Sequence, residues 1–288
     1  MKNNNTQTSP FLTIHVWVIE NTTRLKNVGI ESARLDCLLL LEHALGASRE
    51  WLLANNEAAI PKQNLEQLSE FVTQREKRIP LAYIIGSKEF YGRRFLVNKD
   101  VLIPRPESEV IIEMVLDAAK NNDINTVIDV GTGSGCLAIT LKKELPHVHV
   151  TGIDISSSAL KIARKNARIH NTQVQWREMD ITKNGIPNMP STRPYVVTAN
   201  LPYVPDGMIT SEEITKEPEL ALFSGNDGLN HYRALWGAID ITPHKPTLII
   251  TESLLEQHES LQKMATESGY QLTTTNTLVQ AFSPKLKK

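Results

Sequence analysis

The chain has 288 residues, 41% of them apolar and 22% charged, with a formal net charge of −1. This composition suits a soluble chain that buries ordinary cores in roughly two domains, and the near-zero charge excludes a global field that would gather nucleic acid. Its two cysteines, Cys37 and Cys136, are too few for a disulfide framework or a thiolate zinc site, which points to a reducing, cytoplasmic setting.

In chain order, the opening MKNNNTQTSP lacks the charged-then-apolar pattern of a signal segment and is expected to be a loose tail. No apolar run approaches the roughly 20 residues of a membrane span. From Phe11 to Arg78 apolar residues recur at helical spacing, with Leu35, Leu38, Leu39 and Leu45 in one segment and Leu65, Leu68, Phe71 and Val72 in another. Gly46 follows the first, Ser48 can cap a short helix before Trp51, and Pro80 ends the last, so residues 1–80 read as a small all-α bundle. Short β-branched and aromatic runs, Tyr83-Ile84-Ile85 and Phe95-Leu96-Val97, are broken by Gly86 and Gly92 and make residues 81–105 a β-hairpin linker.

After Pro106, strands and helices alternate through residue 288. Strand-like runs lie at Val127–Val130, Val148–Ile153, Val174–Trp176, Tyr195–Thr198 and Leu248–Thr251, and helical runs near Gly135–Leu145, Ser158–His170, Leu229–Ile239 and Leu254–Ser268. Such alternation predicts an α/β domain over 106–288, with a mainly parallel sheet covered on both faces and a ligand site at the carboxyl ends of its strands.

The segment VIDVGTGSGCLAI puts Gly131, Gly133 and Gly135, interleaved with Thr132 and Ser134, between a strand and a helix. Glycines there let the backbone come close to a ligand, and the free amides of the helix start favour a negative group. Asp154 ends the next strand, where a carboxylate can accept from both hydroxyls of a ribose, and Asp180 ends the one after. The dinucleotide fingerprint would need its third glycine at Cys136, so the spacing G-x-G-x-G departs from it. That spacing is the pattern of S-adenosylmethionine-dependent methyltransferases, which the segment Val127–Tyr203 resembles. The resemblance implies that the loop holds the methionine part of the cofactor, Asp154 the ribose, and Asp180 and Ile181 flank the adenine.

The fourth strand, Tyr195-Val196-Val197, runs into the corner Asn200-Leu201-Pro202-Tyr203. Amide and aromatic-amine nitrogens are poor nucleophiles, because their lone pair is delocalised. The side-chain oxygen of Asn200 and the backbone carbonyl of Leu201 can each accept one hydrogen of an NH2 group and fix it. Tyr203 can lie against its planar face, and Pro202 stiffens the corner. Asn200 and Tyr203 are therefore the candidate catalytic residues and all four corner residues the candidate substrate site, with Asn200 also facing the cofactor. The corner alone does not separate an adenine from a glutamine side chain.

Beyond the corner, the chain contains REKRIPLAYIIGSKEF (Arg75 to Phe90), LIPRPESE (Leu102 to Glu109), GTGSG, and EPELALFSGNDGLNHYR (Glu217 to Arg233). In this order and spacing the chain resembles the HemK/PrmC family, methyltransferases that modify the glutamine of the Gly-Gly-Gln motif in peptide-chain release factors. The resemblance implies a class I (Rossmann-like) domain with a seven-stranded sheet, a release-factor-recognising helical bundle, S-adenosylmethionine as cofactor, no direct nucleic-acid partner, and a monomer.

Two features depart from the family. Its corner usually reads N-P-P-Y, and Leu201 replaces the first proline. N-L-P-Y also occurs in ribosomal RNA adenine dimethyltransferases, so an adenine-amino methyltransferase is the alternative. The chain also ends in LVQAFSPKLKK, without the longer Arg-containing strand of the family, which leaves the sheet edge open. Arg105, between two prolines, reads as an orienting residue near the cofactor mouth, whereas Glu217 and Asp227 read as solvated turn acids. The histidines, including His147 and His149, show no metal spacing, and no metal is expected. The closing KLKK reads as a solvated tail.

Overall fold

The computed structural model describes residues 12–121, 124–187, 194–208 and 211–285. The expected N-terminal tail and residues 286–288 of KLKK lie outside them. The chain divides into two compact units, Met1–Ile85 and Gly86–Lys288.

The first unit is helical: α1 (Ile14–Asn27), α2 (Ala33–Leu45), α3 (Arg49–Ala54), α4 (Lys62–Glu76) and α5 (Leu81–Ile85). Thr13 and Ser48 cap α1 and α3, their hydroxyls accepting from the Val16 and Trp51 amides. Gly46 closes α2 in the left-handed conformation, with φ 64°. Trp17, Leu25, Leu40, Leu41, Leu68 and Val72 fill the core. Within it Arg75 Nε donates to Asp36 at 2.7 Å, so each buried charge has its counter-ion. The run Tyr83-Ile84-Ile85, which the sequence puts in the hairpin linker, is the short helix α5 and belongs to this unit.

The second unit opens with the hairpin β1 (Ser87–Phe90) and β2 (Arg93–Leu96), which is docked rather than free. Phe90 and Phe95 are fully buried in the same core as Ile111, Val127 and Leu137. Asn166, with no exposed surface, accepts from the Leu96 amide at 2.7 Å and donates to the Leu96 carbonyl at 3.0 Å. The Tyr91 amide donates to Glu109.

The remaining elements are α6 (Glu109–Asn121), β3 (Thr126–Val130), α7 (Cys136–Glu144), β4 (His149–Asp154), α8 (Ser157–Ile169), β5 (Gln175–Glu178), α9 (Ile181–Asn184), β6 (Tyr195–Ala199), α10 (Asn230–Ile241), β7 (Leu248–Glu252), α11 (His258–Glu267), β8 (Tyr270–Asn276) and β9 (Val279–Pro284). They form a seven-stranded sheet of order β5-β4-β3-β6-β7-β9-β8. Pairing is parallel from β5 to β7, and β9 joins antiparallel to both β7 and β8.

The sheet is covered on both faces, so every residue of the central strands β3 and β6 is buried. Val197 and Ile249 pack with Trp236, Ile239 and Leu261 on one face, while Val196 and Ile250 pack with Ile111, Val115 and Leu137 on the other. The sheet edge, expected from the closing residues to be open, is complete. Val279–Pro284 inserts between β7 and β8, with Ala281 and Phe282 buried, and β8 absorbs the mismatch as a bulge between Leu272 and Thr274. Among the described residues no helix is long and apolar enough to cross a membrane.

Candidate active site

Strand register assembles the site. Val130 at the end of β3 pairs with Ile153 of β4 on one side and Ala199 of β6 on the other. The next residues, Gly131, Asp154 and Asn200, therefore emerge side by side, where the strand order turns from β4 to β6 and α/β sheets bind ligands.

The glycine loop is held from below. Asp129, with no exposed surface, accepts from the Thr132 hydroxyl at 2.6 Å and the Thr198 hydroxyl at 2.9 Å, tying the loop to β6. Burial pushes its carboxyl up to about 6. The Gly131 and Thr132 amides donate to the Ile153 carbonyl, and Asn166 Nδ2 donates to the Ser134 carbonyl at 2.9 Å. Gly135 starts α7 at φ 80°, and a Cβ there would stand 2.9 Å from the Trp176 ring, so only glycine lets the helix approach β5 this closely.

Asp154 accepts from the Gly133 amide at 2.8 Å and the Ser156 amide at 2.9 Å, one on each oxygen. Burial raises its pKa against these two stabilising bonds. Each oxygen keeps a lone pair for a further donor. Asp180 caps α9, accepting from the Thr182 amide at 2.9 Å and hydroxyl at 2.6 Å, and its carboxyl is held below the usual range chiefly by that hydroxyl. Ile181 follows it on the cavity wall.

Asn200 Nδ2 donates to Ser108 Oγ at 2.8 Å, while Asn200 Oδ1 is buried with no hydrogen-bond partner. A buried carbonyl oxygen without a donor is costly, and a ligand NH2 group is what it lacks. Leu201 has a backbone N–H that proline would lack, and it donates to Tyr232 Oη at 3.4 Å. That hydroxyl donates in turn to the Glu252 carbonyl and so ties the end of β6 to the end of β7.

Tyr203 Oη donates to Glu252 Oε1 at 3.1 Å, and burial raises the phenol. Behind it, Gln257 Nε2 donates to the Tyr203 and Asp227 carbonyls, both at 2.8 Å. Gly228 lies so near that a Cβ would sit 2.1 Å from the Tyr203 carbonyl oxygen, which explains the second glycine of the segment Glu217 to Arg233.

A cavity of about 270 Å³ joins these parts, lined by Gly131, Thr132, Gly133, Ser134, Asp154, Asp180, Ile181, Asn200, Leu201 and Pro202 among others. Gly135 and Tyr203 lie outside its lining. Arg105 is in the lining and pairs with Glu217, which also accepts from the Ile103 amide at 3.0 Å. Glu217 is therefore no solvated turn acid: it is 5% exposed and anchors the LIPRPESE segment. Asp227 is exposed and pairs with Arg233, as a turn acid would.

Sequence reasoning missed Ser108, Glu252 and His231. His231 lines the cavity, its Nδ1 sits 2.6 Å from Ser224 Oγ, and its backbone N–H donates to the same oxygen. Burial lowers the ring's pKa, which favours the neutral imidazole. Among the described residues no cluster of three or more His, Cys, Asp or Glu could hold a metal ion.

The arrangement suits a ligand with a ribose, a planar base and a group presented to an NH2-binding corner. Residues 17–86 match the family model described as PrmC N-terminal domain, and residues 127–212 match that described as Methyltransferase domain. The release factor glutamine methyltransferase of Geobacter sulfurreducens is 34% identical over 88% of this chain and 90% of its own. That of Koribacter versatilis is 38% identical over 73% of this chain and 75% of its own. A bifunctional methyltransferase of Rickettsia bellii is 31% identical over 89% of this chain but only 51% of its own, so the chain spans about half the length of such relatives. With Gly131 to Ser134, Asp154 and Asn200 to Pro202 lining one cavity, and a relative matching it nearly end to end, the chain belongs to the release factor glutamine methyltransferase family.

Proposed function

We propose that the protein transfers a methyl group from S-adenosylmethionine to the side-chain amide nitrogen of the glutamine in the Gly-Gly-Gln motif of peptide-chain release factors. One observation carries the reading: Asn200 Oδ1, buried and without a donor, belongs to a residue of the cavity that also contains the glycine loop and Asp154.

The residues present fit such a cofactor. Asp154 has lone pairs that would accept from the ribose hydroxyls, Asp180 and Ile181 would flank the adenine, and the Gly131–Gly135 loop would hold the amino-acid end. When bound, the cofactor supplies a methyl group on a positively charged sulfur. The chain's part is orientation. Asn200 Oδ1 and the Leu201 carbonyl each accept one hydrogen of the glutamine NH2, which fixes its plane and raises electron density on nitrogen. Tyr203, tethered through its hydroxyl to Glu252, braces the planar group, and Pro202 walls the corner. Once alkylated, the nitrogen is acidic and sheds its proton to water, so no strong base is required.

The helical unit Met1–Ile85 is the part we assign to release-factor recognition. Its match to the PrmC N-terminal domain and its exposed Trp51 and Leu53 support this assignment. The test is methyl transfer from labelled cofactor to a purified release factor. Label is expected in the wild-type factor and absent from one whose Gly-Gly-Gln glutamine is alanine. Equal labelling of both, or label in RNA instead, would overturn the reading.

A further inference from the structure

We propose that Glu252 and Ser108 are positioning residues that decide which end of the Asn200 amide is offered to the substrate, an inference that rests on the methyl-transfer reading above.

A primary amide has two ends of nearly equal shape, and only one orientation serves here. With Oδ1 toward the substrate, its NH2 group finds an acceptor; with Nδ2 there, two donors face each other. The side chain cannot make this choice itself, so its partners must. Asn200 Nδ2 donates to Ser108 Oγ at 2.8 Å. A serine oxygen that accepts still has its own proton to place, and Ser108 is 2% exposed, so water is not the acceptor.

Glu252 provides one. The pairing of Ala199 with Thr251 brings Glu252, the last residue of β7, opposite Asn200. Glu252 is 1% exposed, and burial raises its pKa against the side chains of Ser108, Tyr203 and Asn200, whose hydrogen bonds favour the ionised form. Oε1 accepts from Tyr203 at 3.1 Å, and Oε2 is buried with no hydrogen-bond partner. Tyr203 already donates to this carboxyl, and its free oxygen Oε2 is an acceptor for a second hydroxyl. The protons of Ser108 and Tyr203 therefore both point toward it, Ser108 Oγ is left to accept from Asn200, and Oδ1 is the end that remains for the cavity. The same carboxyl holds the Tyr203 ring, so one buried group fixes both parts of the clamp.

Glu252→Gln keeps the shape and reverses the logic. The new NH2 group donates to Ser108, whose proton turns to Asn200, and the amide flips. Turnover with release factor is expected to fall on the order of 100-fold, as misplaced reacting groups do. Cofactor affinity and the KM for release factor stay within about twofold, since no group that binds them is removed. In an Asn200→Ala background the same change should cost nothing further, because no amide remains to orient. Ser108→Ala, which removes the relay and not the carboxyl, should give a similar loss of kcat.

A substrate-free readout separates this proposal from the functional reading. By NMR, the side-chain NH2 protons of Asn200 should exchange slowly with water in the wild type and faster in Glu252→Gln. Wild-type kcat in Glu252→Gln, an equal loss in the Asn200→Ala background, or unchanged exchange would each overturn the proposal. Absence of methyl transfer with the exchange contrast intact would overturn only the functional reading.

Discussion

Gly135 and Gly133 occupy one loop, both at positive φ, yet an added methyl group should act on them in different ways. At Gly135, φ is 80° and a Cβ would stand 2.9 Å from the Trp176 ring, 3.1 Å from Ala163 Cβ and 3.2 Å from Ile139 Cδ1. The left-handed backbone costs alanine about 1–2 kcal/mol. Overpacking three neighbours that are themselves wedged between β5, α8 and α7 adds roughly 1–3 kcal/mol. Gly135→Ala should therefore destabilise the second unit by about 2–5 kcal/mol. At Gly133, φ is 54° and a Cβ would meet only the Gly131 oxygen, at 3.9 Å. Its cost is the backbone term alone, about 1–2 kcal/mol, but the methyl group is added in the lining of the cavity. Denaturant unfolding with titration calorimetry of S-adenosylmethionine separates the two. Gly135→Ala should lose mainly stability, and Gly133→Ala mainly cofactor affinity. Equal loss of stability in both, with equal affinity, would refute the packing role given to Trp176.

Asp154→Asn removes the ionised acceptor for a ribose and should weaken cofactor binding by about 1.5–3 kcal/mol, roughly 10- to 100-fold in Kd by calorimetry. Asp129 makes a pH prediction. Its carboxyl stands at about 6 in the fold against an ordinary 3.8, so the native state holds the proton more tightly than the unfolded chain. Stability from this group is fully present below pH 3.8 and lost as pH rises through about 6, by up to roughly 3 kcal/mol. Asp129→Asn cannot titrate, so the stability difference between wild type and variant should shrink over that window in urea melts. In the first unit, Asp36→Ala leaves Arg75 buried without its counter-ion and should cost about 3–5 kcal/mol, seen as an earlier unfolding transition.

The parts of the site that depend on backbone geometry were legible in the sequence. Gly131, Gly133 and Gly135 between a strand and a helix, and the proline-stiffened corner at Asn200, show in residue type what the backbone must do there. Asp154 was legible because it ends a strand next to the loop. Ser108 and Glu252 were not, because each acts across the fold, and Ser108 stands 92 positions from the Asn200 it touches. Nothing local marks a serine in a turn or a glutamate at a strand end as a partner of an amide. Glu217 was misread for the same reason: its glycine-rich context suggests solvent, and only the fold brings Arg105 and the Ile103 amide to it. Tyr83-Ile84-Ile85 is too short for periodicity to tell a helix from a strand, and Pro80 before it starts a helical turn. The closing strand was underestimated because nothing local shows that Val279–Pro284 inserts between β7 and β8 rather than adding at the edge.

The most direct test of the account is the steady-state rate of Asn200→Ala on release factor, measured beside its cofactor Kd. If the buried Oδ1 orients the glutamine amide, kcat should fall on the order of 100- to 1000-fold, while the cofactor binds nearly as in the wild type. A variant that methylates release factor at the wild-type rate would contradict the central claim, that the corner at Asn200 is where the amide is held.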